Sequence, residues 1–348
     1  MFLNKNNLSP YTVTRVPPKN LKTNDQFLFE HEMFRKFKSP KIFIKKNVYV
    51  HESKVKKFKY FRSYSNHWRM SNFWIKHKIK FFLEDLKLFF LSVGKNNNDT
   101  EIIDKASWVT DQKSWKYMHW FSDALQRIEL LDNYLEEYPI IISNNYLNYP
   151  YTKNTLDLMN IPYIVLDREK SYLVKELLFS SHVAPAGNYN EEIINSVSNK
   201  IKKTSVKKNS KPIRKIWISR EKAPMRNVTN IKEVEEVLKE YKYEKIYLED
   251  MSTEKQIQII NEAKVVSGLQ GAGLNNILFM DKNTNILEVR DRNDNHNNCY
   301  FSLASALNIN FYYAFADTVE PGNFHSSDYT IDINSLKNAF DEVEENLK

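Results

Sequence analysis

Between residues 115 and 290 short β-branched runs alternate with amphipathic stretches, and this alternation restricts the fold more than any other feature. A helix over 115–134 precedes the strand PIIIS, and a helix near Thr152–Met159 precedes PYIVLD. After Gly187 come a helix over Glu191–Lys202, a basic linker KKTSVKKNSKP and the strand RKIWISR. The helix NIKEVEEVLKEY, the strand EKIYLE and the helix STEKQIQIINEA follow, then the strand KVVSG, a glycine turn and the strand NILEVR. Strands joined through helices pair in parallel, and a parallel sheet needs helices on both faces. A chain of 348 residues exceeds one ordinary core. The expectation is an α/β protein of two domains meeting near residues 185–210, with the last helix, INSLKNAFDEVEENL, folding back across their boundary.

The glycine turn is the most unusual segment. The chain has six glycines, and Gly268, Gly271 and Gly273 all fall within VVSGLQGAGLNNILF. A turn from a strand into a helix presents free backbone N–H groups, and the helix dipole there favours an anion. Glycine lets such a backbone turn sharply and approach a phosphate. A tight turn that merely packs explains the glycine count equally well. Neighbouring residues favour the anion. Arg220 lies just past the strand WISR and Arg226 six residues on, and arginine suits bidentate phosphate binding. Glu288 ends the strand NILEV, where it can accept from ribose hydroxyls or pair with Arg290.

Composition narrows the function classes. A hydrophobic share of 42% is ample for real cores. Cys299 is the single cysteine, so an intrachain disulfide and a cysteine-rich metal site are excluded. The first residues lack the apolar stretch of a signal peptide, and no run of about 18 apolar residues occurs. A cytoplasmic location is expected, or a peripheral one at a membrane surface. The net charge of +8 suits anionic partners.

That charge is concentrated near the N-terminus. Lys41 to Phe82 hold twelve Lys or Arg and one acid, Glu52, with aromatic residues interleaved. KIFIKKNVYVHES reads as a hairpin turning near Asn47. Ile75, Ile79, Phe82, Leu86, Phe89 and Val93 recur at helical spacing over Asn72–Val93. Three readings compete: an extension packed on the first domain with its charges solvated, peripheral attachment to an anionic membrane, and nucleic-acid binding. The first is preferred, and no nucleic-acid partner is expected.

In the helix YMHWFSDALQRIELL, Met118, Phe121, Leu125 and Ile128 form one stripe at 100° per residue, with Trp115, His119, Asp123 and Gln126 nearly opposite. His119 and Asp123 are one turn apart and can touch. By pattern alone this second face is solvated and carries a weak ion pair.

Together these residues resemble glycosyltransferase family 61, which includes plant β-1,2-xylosyltransferases, EGF-domain O-linked GlcNAc transferases and bacterial polysaccharide enzymes. Arg220, Arg226 and Asn230 match its arginine, second arginine and helix-opening asparagine; Glu249, Ser252 and Gln256 match the next segment. Gly271, Ala272, Gly273 and Glu288 match its glycine turn and following strand, and His119, Trp120, Asp123 and Leu125 its upstream motif. The resemblance covers roughly Trp108 to Asp317. Gln270 stands where the family has histidine, and it cannot carry a proton near neutral pH.

The resemblance implies a GT-B type fold: two Rossmann-like domains facing a cleft, here 96–187 on the acceptor side and 188–348 for the donor, with 1–95 as a basic extension. It implies inverting transfer from a nucleotide sugar, UDP-linked, to a glycan or lipid-linked saccharide. Arg220, Arg226, Asn230, Gln270, Gly271, Ala272, Gly273 and Glu288 would bind the donor. Asp123 is the first choice of catalytic base and His119 the second. The chain contains no Asp-x-Asp, the usual metal–diphosphate pair of the other common transferase architecture, so no metal ligand or cofactor is expected and arginines must neutralise the leaving group. A non-catalytic nucleotide-sugar binder of the same fold, and a basic nucleic-acid-binding protein, stay open as alternatives.

Overall fold

The computed structural model describes residues 9–51, 54–58, 61–63, 100–111, 113–206 and 210–348. Two compact units result: a first of Lys38–Ala184, and a second of Pro10–Phe37 with Pro185–Lys348. The division at Ala184/Pro185 lies close to the expected one. Of the expected extension over 1–95, Pro10–Phe37 cluster with the second unit, and the strand that follows them joins the first unit's sheet. The amphipathic stretch Asn72–Val93, with its proposed membrane stripe, lies outside the described residues.

In chain order the strands are β1 Tyr11–Thr14, β2 Phe34–Phe37, β3 Ile42–His51, β4 Lys54–Phe58 and β5 Phe61–Ser63. Next come β6 Thr100–Trp108, β7 Ile140–Ser143, β8 Tyr163–Leu166, β9 Ser171–Ser180 and β10 Arg214–Ile218. The last are β11 Glu244–Ile246, β12 Ala263–Leu269, β13 Asn285–Asp291, β14 Asn310–Thr318 and β15 Tyr329–Ile331.

The first unit is a seven-stranded sheet ordered β5-β4-β3-β9-β6-β7-β8. Its β9-β6-β7-β8 half is parallel, and β3, β4 and β5 extend it antiparallel. Asn47 does not turn the chain: it takes φ +51 inside β3, and the register runs on from Lys46↔Glu176 to Val48↔Val174. The alternation of this segment thus belongs to one long strand. Val48, Val50, Ala106, Trp108, Ile141, Val174 and Leu177 form the core against this sheet.

The second unit orders its strands β11-β10-β12-β13-β14-β15, all parallel except β15. Through β14 this is the 2-1-3-4-5 winding of flavodoxin-like domains rather than the 3-2-1-4-5-6 order of a Rossmann fold. Helix Ile333–Asn346 packs on the sheet of its own unit. It buries Leu336, Ala339, Phe340 and Val343 in the core formed by Trp217, Val265, Leu287 and Tyr312 of its own sheet. The N-terminal segment is built in as well: Phe29 is fully buried against Phe301, Phe311 and Tyr313, and Lys19 N–H donates to the Phe311 carbonyl at 2.8 Å. The helix expected after the glycine turn is a 3-10 helix over Ala272–Phe279.

Candidate active site

In an open α/β sheet ligands bind beyond the carboxyl ends of the strands, where the winding reverses. In the second unit that point lies between β10, whose connection leads to β11, and β12, whose connection leads to β13 on the other side. Arg220 follows β10 by two residues, and Gln270–Gly273 follow β12 directly.

The two arginines are tied across this point. Arg220 donates through Nε to the Arg226 carbonyl at 3.1 Å and through Nη2 to the Met225 carbonyl at 2.8 Å. Arg226 donates through Nη1 to the Gln270 carbonyl at 3.1 Å. Arg226 also holds φ +60, a strained region for a bulky residue and one that collects at functional sites. Burial, together with the neighbouring Arg226 charge, lowers the Arg220 pKa to about 10, so it remains a cation at neutral pH. Among the described residues no carboxylate forms an ion pair with either guanidinium. Several of their N–H groups remain uncommitted. Two adjacent, partly desolvated guanidiniums with no carboxylate at ion-pair distance among the described residues can accept an anion.

The glycines divide their work. None of Gly268, Gly271 and Gly273 is left-handed; Gly271 has an extended φ of 176°. A Cβ on Gly268 would lie 3.0 Å from the Ile218 carbonyl oxygen, so that glycine permits β10 and β12 to pack. A Cβ on Gly273 would press on Ile218 Cγ2 at 3.1 Å and Leu248 Cδ1 at 3.2 Å. A Cβ on Gly271 would overlap Arg220 Nη1. The backbone approach that Gly271 permits is therefore that of the Arg220 side chain.

Other expected donor contacts are occupied otherwise. Gln270 is 5% exposed and donates through Nε2 to the Asn297 carbonyl at 3.0 Å. Asn230 does not cap its helix; its amide exchanges bonds of 2.9 and 3.0 Å with the Ile331 backbone and so fastens β15. Ser252 caps helix Thr253–Asn261, and Gln256 donates to the Leu248 and Met251 carbonyls. Ala272 stays partly exposed at the start of the 3-10 helix. Glu288 is fully buried. Its carboxyl is 3.9 Å from Arg290 Nη1, and burial raises its pKa to about 7, against the opposing pull of Arg290 and Gln270.

In the first unit the expected helix is a composite: Tyr117–His119 is α-helical, Trp120–Ala124 forms a π turn, and Leu125–Leu130 resumes the α-helix. Such π turns are frequent at functional sites. The face that the pattern alone would place in water is divided: Asp123 and Gln126 are buried, His119 is half-buried and Trp115 is exposed. His119 Nδ1 and Asp123 Oδ2 are 2.7 Å apart, with side-chain exposures of 15% and 2%. The carboxylate lies inside and the imidazole nearer the surface. With Nδ1–H donating to Asp123, Nε2 keeps its lone pair, the arrangement by which a carboxylate orients a histidine base.

The same helix supplies Arg127, which no pattern in the sequence marks. It is 3% exposed and donates to the Trp108 carbonyl at 3.3 Å and the Ser180 carbonyl at 2.9 Å. It thereby joins the carboxyl ends of β6 and β9. Burial lowers its pKa to about 10, opposed by the charges of Asp111 and Asp123. Asp111 in turn meets His182 Nε2 at 3.1 Å. Neither Asp111 nor His182 stands in a motif; each comes two or three residues after a strand absent from the sequence reading.

The family model described as Glycosyltransferase 61 matches residues 117–287, a segment running from the helix of His119 and Asp123 through the glycine turn to β13. No curated protein matches the chain.

Proposed function

Because residues 117–287 belong to glycosyltransferase family 61 and the chain is a glycosyltransferase, we propose that it moves a sugar, with inversion and without a divalent metal, from a nucleotide sugar to an acceptor hydroxyl. One observation carries the donor assignment: Arg220 and Arg226, both short of a carboxylate partner, meet the glycine turn at the winding reversal of the second unit.

In this reading the diphosphate pairs with the two guanidiniums, which have no carboxylate at ion-pair distance among the described residues. The arginines and the free N–H groups after Gly271 stabilise the negative charge that grows on the leaving phosphate. His119 Nε2 takes the acceptor hydroxyl's proton as that oxygen attacks the anomeric carbon and the bond to the diphosphate breaks. Asp123 holds the imidazole and stabilises the imidazolium that forms. This reverses the order preferred from sequence, where Asp123 was the first choice of base. Support for the reversal comes from burial: Asp123 lies beneath His119, and its Oδ2 is already engaged. Glu288 acts as a buried support beside Gln270 rather than as a ribose contact. The GT-B arrangement and a cytoplasmic location are parts of the same proposal. Among the described residues no helix is long and apolar enough to cross a membrane.

The test is a thermal-shift screen of the full-length protein against nucleoside diphosphates and nucleotide sugars, since a ligand of the folded form raises the melting temperature. A rise with one nucleotide series, abolished in Arg220→Ala and Arg226→Ala, is expected. No rise with any member would refute the donor assignment.

A further inference from the structure

The first unit has a winding reversal of its own. From β6 the chain proceeds to β7 and β8 on one side, while β9 lies on the other. The crevice beyond β6 and β9 is therefore this unit's default ligand position. Two side chains meet there: Asp111, three residues past β6, and His182, two residues past β9.

Asp111 is firmly held in place. Its Oδ1 accepts from Lys113 N–H at 2.8 Å and from the Ser114 hydroxyl at 3.2 Å, and its Oδ2 faces His182 Nε2 at 3.1 Å. Burial opposes its ionisation, yet His182, Lys113 N–H and Arg127 prevail and hold its pKa below the ordinary carboxylate range. His182 Nδ1 makes no hydrogen bond among the described residues, and the imidazole is 16% exposed. The pair resembles the His119–Asp123 arrangement, one ring nitrogen on a carboxylate, here half-buried rather than buried, and the other uncommitted. Arg127 lies within electrostatic reach of both carboxylates and is bonded to the ends of both strands. The two dyads therefore share one end of one sheet.

Aromatic rings from the same sheet end stand beside them. Trp115, 43% exposed, stacks on Tyr149 at 5.7 Å, and Tyr149 lies 5.8 Å from Tyr151. Tyr151 also contacts Tyr117 and Phe121 in the helix of His119. Two imidazoles with uncommitted nitrogens and a partly exposed aromatic wall match a ligand that has several hydroxyls and an apolar face.

We propose that His182, held by Asp111, is a second acceptor-contacting residue, and that the acceptor is a saccharide ring offering one hydroxyl to His119 and another to His182. This rests on the glycosyltransferase reading and specifies its acceptor class. An isolated alcohol or a peptide hydroxyl would leave the second dyad unused. His182 binds and orients; the proton leaves through His119.

The experiment uses the full-length protein, the nucleotide sugar returned by the thermal screen and a panel of methyl glycosides as acceptors. Release of nucleoside diphosphate is followed with and without each glycoside. His182→Gln should raise acceptor KM about tenfold, as expected for one lost hydrogen bond, and lower kcat less than threefold. Asp111→Asn, a second variant that retains the side-chain size, should raise KM in the same direction. His119→Gln should instead lower kcat. An acceptor KM unchanged in both His182→Gln and Asp111→Asn overturns the proposal. So does a wild-type enzyme that hydrolyses its donor yet uses none of the glycosides. A protein that neither binds nor hydrolyses any nucleotide sugar refutes the underlying reading, and that failure is distinguishable because it occurs before any acceptor is added.

Discussion

Gly271→Ala separates two reasons for a glycine. At Gly271 the backbone φ of 176° is open to any residue, so the substitution carries no backbone strain. What the new Cβ meets is the Arg220 guanidinium, with Nη1 in overlap and Cζ at 3.1 Å. Arg220 must swing away and give up its bonds to the Met225 and Arg226 carbonyls. Hydrogen bonds from a charged donor contribute about 1.5–3 kcal/mol each, and partial rehydration of a half-buried arginine returns part of that. The expected loss of stability is about 2–4 kcal/mol by urea unfolding. A displaced Arg220 also leaves the anion site, so calorimetry with the nucleoside diphosphate should show a Kd raised about ten- to hundredfold. A double-mutant cycle makes the reasoning decisive, because residues in contact are non-additive. With Arg220→Ala already present, adding Gly271→Ala should cost less than about 0.5 kcal/mol. An undiminished cost in that background would show that Cβ meets something other than Arg220. Normal nucleotide affinity in the single variant would remove Arg220, in this pose, from the anion site.

Gly268→Ala, pressed against a backbone carbonyl at 3.0 Å, should by contrast lose stability whether or not Arg220 is present, measurable in the same urea series. His119→Gln should lower kcat by about 10²–10⁴-fold, the usual worth of general base catalysis, and Asp123→Asn somewhat less; a larger effect at Asp123 would restore the carboxylate as the base. Burial raises the Glu288 pKa from its ordinary value of 4.5 to about 7, so the folded state holds the extra proton between these values. Its stabilising contribution is full below about pH 4.5 and lost as pH rises through about 7, a slope that unfolding at pH 5 and 7.5 should detect in the wild type and not in Glu288→Gln. Transfer should persist in EDTA; loss restored by Mn²⁺ or Mg²⁺ would contradict the metal-free reading.

How much was legible differs between the units. In the second unit β10, β12 and β13 are short β-branched runs between amphipathic helices, a local pattern that can be read without knowing any partner. Their glycine turn and arginines sit at strand ends, so the position of these residues was fixed as soon as the strands were read. In the first unit β6 reads TEIIDKASW and β9 SYLVKELLFS, and charged residues interrupt both. With those strands unread, the residues just beyond them, Asp111 and His182, had no visible context. The helical wheel correctly paired His119 with Asp123 and placed Phe121, Leu125 and Ile128 in the core, yet it put Asp123 in water.

The sequence by itself determined the α/β class, and it marked the glycine turn and the two arginines beside successive strands. Each of these depends on neighbours within a few residues, where periodicity and turn chemistry act. Only the tertiary structure decided that Asp123 is buried under His119, that Gly271 makes room for Arg220, and that Asp111 meets His182 across 71 positions of chain. Burial and long-range pairing depend on which elements pack over a residue, and that is set by the winding of the whole sheet rather than by any local pattern.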